Sequence, residues 1–75
     1  MRRAGTVVGV TQGVAVVRST DETFPDVGAE LVDERLDAVG AVVDVFGPVT
    51  RPYLAVSPSS DRAVTRLVGD VVYAR

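Results

Sequence analysis

Residues 39–56 read VGAVVDVFGPVTRPYLAV, and this stretch decides the fold. Val39, Ala41, Val43 and Val45 fall on one face at period two, and Gly40, Val42, Asp44 and Phe46 fall on the other. The run is rich in β-branched residues, which suit a pleated, half-buried surface, and it stops at Gly47-Pro48, a strong strand terminator. A second apolar run follows from Tyr53, so the stretch reads as strand, tight turn, strand. Pro48 and Pro52 each fix a φ angle and remove an N–H. Neither can sit inside a central ladder, and the loop between them is stiff. That loop gathers Phe46, Val49, Arg51 and Tyr53 into a small space. A solvated turn is normally polar. An apolar and aromatic one predicts a docking surface made of Phe46, Gly47, Pro48, Val49, Arg51, Pro52 and Tyr53.

On the N-terminal side, residues 4–10 alternate weakly and predict a first strand. Gly5 and Gly9 in it would permit bending or close backbone approach. Thr11-Gln12-Gly13 is a turn and residues 14–18 a second strand, which makes a hairpin. Residues 19–26 are polar and form a loop, with Phe24 expected to fold back as a lid on the core. A short third strand is predicted over 30–32, then a turn at Asp33-Glu34-Arg35, with Leu36 returning to the core. A helix over 26–37 is disfavoured by Gly28 and its β-branched neighbours, although one helical turn at 33–36 remains compatible. On the C-terminal side, residues 57–61 are a Ser/Pro loop. Residues 61–67 suit a brief helical turn capped by Ser60 or Asp61, and residues 69–73 form the last strand. Six short strands separated by regular turn signals predict an all-β, small, closed, six-stranded antiparallel β-barrel, occupying residues 1–75 as one domain. Closure also removes sheet edges that would otherwise aggregate.

Composition narrows the function. The 75 residues contain no cysteine and no histidine. Disulfides are therefore absent, zinc, haem and iron–sulfur sites are all but excluded, and His-dependent nucleophilic pairs are excluded outright. No cofactor or metal is expected. A chain this short hides only about 60–65% of its unfolded surface, so a docked partner is a natural source of added stability. The net charge is −2, and every basic residue is arginine. An acidic balance does not suit broad phosphate binding, and it fits a protein kept soluble in high salt. No stretch approaches the ~20 apolar residues that span a bilayer, and Arg2-Arg3 lead into no signal-like run. A cytoplasmic location without membrane contact is the expectation.

Individual candidates carry a bland and a sharper reading. Asp44 is either a solvated or turn-bonded carboxylate, or a polar contact that fixes the Gly47 turn or meets a partner. It has no second acid or base near it in sequence to support catalysis. Phe46 and Tyr53 suit either core or interface, because aromatics dominate both. Arg2, Arg3 and Arg51 read as surface charge, too few for a nucleic-acid footprint. Asp21-Glu22 and Asp33-Glu34 read as solvated loop charge without a magnesium-ligand pattern. Gly5 to Gly9 lacks the lysine and following helix of a phosphate loop.

The pattern V-G-x-V-x-D-V-F-G-P-V-x-x-P-Y-x-A-V is carried by Val39, Gly40, Val42, Asp44, Val45, Phe46, Gly47, Pro48, Val49, Pro52, Tyr53, Ala55 and Val56. It resembles the central signature of the GAR-family subunit of archaeal H/ACA ribonucleoproteins, the RNA-guided pseudouridine synthases. Weaker likeness covers Gly5-Thr6-Val7, residues 25–32 and residues 69–73. The resemblance implies a barrel of the translation-factor type and a non-catalytic subunit. That subunit would dock on the dyskerin-like catalytic subunit and modulate its substrate-gripping loop during rRNA pseudouridylation. Association with guide and substrate RNA would be indirect, and the isolated chain would be open to self-association through its Val-rich surface. Eukaryotic members carry Gly/Arg-rich tails; this chain has none, so RNA contacts assigned to such tails are not carried over. The particle's assembly factor shares a similar F-G-P core but has long extensions, which ranks it lower. The alternative is a free-standing PRC-type barrel adaptor in ribosome maturation, which shares G-x-V-x-D-V but is not expected to carry F-G-P-V-x-x-P-Y. An oligonucleotide-binding barrel would need a basic face with exposed aromatics. An enzyme is the least supported, since no acid–base pair, nucleophile or cofactor loop is present.

Overall fold

The computed structural model describes residues 2–19, 24–59 and 64–75, with the backbone alone at 64 and 65. Six strands form: β1 (Arg2–Thr11), β2 (Val14–Ser19), β3 (Glu30–Val32), β4 (Ala38–Phe46), β5 (Tyr53–Pro58) and β6 (Val71–Ala74). They close into a barrel in the order β1-β2-β5-β4-β3-β6, with each neighbouring pair antiparallel. A 3₁₀ turn at Val64–Leu67 precedes β6. It lies inside the predicted helical turn over 61–67, whose proposed caps, Ser60 and Asp61, fall outside the described residues, as do Asp21 and Glu22.

The interior is valine-rich. Its largest fully buried side chains are Leu31, Leu54, Val7, Val17, Val32, Val39, Val42, Val56 and Val72. β-Branched side chains are stiff at χ1 and pack well on a pleated surface, so a tight barrel can be filled with little rotamer freedom to lose. Phe24 packs against this core from the loop after β2, as its lid role predicts. Gly5 lies so close to the Arg18 carbonyl that no Cβ fits there, and its φ of 152° strains any side chain. The β1–β2 turn places Gln12 and Gly13 at φ 50° and 77°, the left-handed pair that matches hairpin twist.

Strict alternation fails in β4. Against β3 the register slips between Leu31 and Val32, so that Val39 is an extra residue between the partners Gly40 and Ala38. Against β5 it slips again between Val42 and Asp44, which leaves Val43 unpaired. Each bulge rotates the residues beyond it by one face. Val39 and Val42 are consequently both buried although they are three apart, and Val43 is 50% exposed, not grouped inward with Val39.

Leu36 also departs from expectation. It does not re-enter the core but stands 53% exposed at φ 68°. The turn around it is closed by local polar bonds: Leu36 N–H donates to the Asp33 carbonyl at 3.0 Å, and the Asp33 carboxylate accepts the Arg35 and Asp37 N–H groups at 2.8 and 3.0 Å. An aspartate that bonds forward to the backbone builds this turn without help from the side chain at 36.

Candidate functional site

Strand directions sort the barrel into two ends. β1, β3 and β5 run one way and β2, β4 and β6 the other. One end therefore carries the start of β1, the end of β2, the β4–β5 connection and the end of β6. The other carries the Gln12-Gly13 turn, the Asp33 turn and the approach to β6.

The β4–β5 connection makes a proline-braced corner. Phe46 and Tyr53 are the last ladder pair, and their rings stack with centroids 5.6 Å apart at 22°. Gly47 follows at φ 90°, and a Cβ there would lie 2.9 Å from Tyr53 Cδ2. Glycine is required at 47 twice over, by the left-handed backbone and by the tyrosine ring lying against it. The Ser19 N–H donates to the Pro52 carbonyl at 3.1 Å, which extends the β2–β5 pairing one residue past β5 and ties down the loop exit.

Of the residues predicted to form this surface, Phe46 is 44% exposed and Val49 is 90% exposed. Gly47, Pro48 and Arg51 are also exposed, and Tyr53 is half-buried beneath Phe46. Pro52 departs from the prediction: it is buried, and its place is structural, under the corner and not on it. Asp44 is exposed and its carboxylate accepts the Val45 N–H at 2.8 Å. Its bond is to the next backbone group at the bulge, not to the Gly47 turn.

Register adds a neighbour that the local sequence did not single out. Tyr53 pairs with Arg18 across β5–β2, and Arg18 pairs with Thr6 across β2–β1. Directly paired residues share a face. Phe46, Tyr53, Arg18 and Thr6 thus form one lateral row on the outer wall, while their chain neighbours Leu54, Val17 and Val7 point into the core. Nothing in the order of residues brings Arg18 to the corner; only the pairing does.

The opposite end has different chemistry. A concavity of about 670 Å³ there is bordered by Asp33, Glu34, Asp37, Arg66 and Asp70. Among the described residues no group of three or more His, Cys, Asp or Glu side chains could hold a metal ion. The corner presents exposed apolar surface on a backbone held by Gly47, Pro48 and the buried Pro52.

The chain is similar to known proteins in sequence pattern and in fold. A family model described as the Gar1/Naf1 RNA binding region matches residues 1–75. A solved structure described as the Gar1 domain of Naf1 superposes with a TM-score of 0.79 at 13% identity, over 97% of this chain and 79% of that one. At that identity the likeness is one of fold. No curated protein matches the chain in sequence.

Proposed function

The chain belongs to the Gar1/Naf1 family, and from that premise we propose that it is the subunit of an H/ACA ribonucleoprotein that docks on the pseudouridine synthase catalytic subunit and tunes its substrate-gripping loop. The family is a non-catalytic one associated with H/ACA ribonucleoproteins and with RNA. The docking partner and the effect on its loop are our reading, and one observation carries it: Phe46 and Val49 stand exposed at a corner whose backbone is fixed by Gly47, Pro48 and the buried Pro52.

A preorganised apolar projection loses little conformational entropy on binding, so more of the energy of burial appears as affinity. Aromatic anchors at the centre of an interface are the residues whose truncation costs most. Phe46, already stacked on Tyr53, is such an anchor, and Val49 is the most exposed of the large apolar side chains among the described residues. A subunit attached this way acts on the enzyme by biasing a mobile loop toward one of its positions. It can shift that equilibrium only by its differential affinity for the two positions. In this reading RNA is met through the assembled particle.

The test is titration of the purified catalytic subunit with Phe46→Ala and Val49→Asp variants by calorimetry. Each should weaken binding by about 2 kcal/mol or more; Val49→Asp keeps its thermal midpoint, whereas Phe46→Ala also gives up its stack on Tyr53 and melts somewhat lower. Unchanged affinity in both would remove the corner from the interface. Filter binding of the isolated domain to single-stranded RNA separates this reading from direct RNA recognition.

A further inference from the structure

We propose that the docking surface does not end at the apolar corner but continues along the barrel wall to Arg18, which receives a carboxylate from the partner protein; this rests on the docking reading above. Arg18 is next to Tyr53 in the outer row of paired residues, and Tyr53 is stacked on Phe46, so the three side chains leave the wall from neighbouring positions. Arg18 is exposed, and it has no ion pair among the described residues.

The distribution of charge supports an acidic partner here. Arg2, Arg3, Arg18, Arg51 and Arg75 belong to the corner end, whereas Asp33, Glu34, Asp37 and Asp70 belong to the other, accompanied by Arg35 and Arg66. Of the corner-end arginines only Arg75 is in an ion pair among the described residues, with Glu30 at 3.9 Å. Among the described residues, these five arginines stand at this end against three carboxylates, Asp26, Glu30 and Asp44. Complementary charges of this kind steer encounter and fix register more than they add affinity. A planar guanidinium is also suited to a carboxylate, which it can meet with two parallel hydrogen bonds.

A protein carboxylate is favoured over an RNA phosphate on two counts. The aromatic rings are stacked on each other, not spaced to receive a base between them. The arginines also share their end with Asp26, Glu30 and Asp44, so no uninterrupted basic track runs along it, as backbone binding requires.

The experiment measures affinity of the full chain for the purified catalytic subunit at low and high salt, with wild type, Arg18→Glu, Arg18→Lys and Val49→Asp, alongside a thermal melt of each. Arg18→Glu should lose about tenfold in affinity at low salt, Arg18→Lys should lose less because it keeps the charge but not the paired hydrogen bonds, and the salt dependence should flatten in Arg18→Glu. If the melt shows Arg18→Glu misfolded, Arg18→Gln takes its place with the same salt comparison. Wild-type affinity in Arg18→Glu together with lost binding in Val49→Asp would overturn the extension and leave the corner reading standing. Retained binding in both variants would overturn both. Retention of a short single-stranded RNA by the isolated domain, abolished in Arg18→Glu, would overturn the protein carboxylate in favour of nucleic acid.

Discussion

The two connections on either side of β4 both join neighbouring antiparallel strands, and they are built on opposite plans. Between β3 and β4, Asp33 closes the turn with its own carboxylate and carbonyl, and the groups around it are charged. Between β4 and β5, the chain turns through a left-handed glycine between stacked aromatics, with prolines at both ends of the loop and an almost fully exposed valine at its tip. The first turn meets its polar needs locally and is complete in water. The second turn holds its shape through covalent restriction and leaves apolar surface uncovered. A turn that only reverses the chain has no need of that surface, and in the docking reading proposed above the second turn is the one that makes contact.

Substitutions can break this contrast or sharpen it. The largest expected effect is on binding: Val49→Asp should cost about 2 kcal/mol or more in affinity for the catalytic subunit while barely moving the melting temperature, because Val49 supports nothing inside the barrel. Gly47→Ala should cost stability as well, about 1–3 kcal/mol, since it forces a non-glycine residue into the left-handed region and pushes on the Tyr53 ring. Denaturant unfolding reads that loss. Recovery of full stability would show that the corner is not braced as described. Asp33→Ala should lower stability by about 1 kcal/mol, a drop of roughly 4–8 °C for a domain of this size, and leave partner affinity untouched. A loss of binding there would dissolve the distinction between the two turns. Leu36→Ser should be nearly silent, within about 0.5 kcal/mol, because the side chain is exposed. A large loss would return Leu36 to the core.

That last variant separates what the sequence discloses from what the fold adds. The barrel and its strands are legible from β-branched runs broken by glycine and proline, because those signals are local. So is the corner, since Gly47-Pro48 and the flanking aromatics are contiguous. The faces within β4 are not legible. Whether Val43 points in or out depends on where β4 takes an extra residue against β3 and against β5, and a bulge is a property of a strand pair, not of one strand. Leu36 misleads because an apolar residue inside a polar turn looks like an anchor, although Asp33 has already closed the turn. Pro52 misleads in the other direction: a proline beside exposed apolar residues reads as surface, but the ladder continued by its carbonyl draws it inward. Arg18 is invisible to any local reading, since its link to Tyr53 exists only once β2 and β5 are in register.

The pairing of Arg2 with Ala74 has a practical consequence. Arg2 and Ala74 lie side by side at the end of the barrel that also carries the β4–β5 connection, so an affinity handle or fluorophore is better kept off that end when binding is to be measured. The Gln12-Gly13 hairpin tip faces away from it and is the better point of attachment.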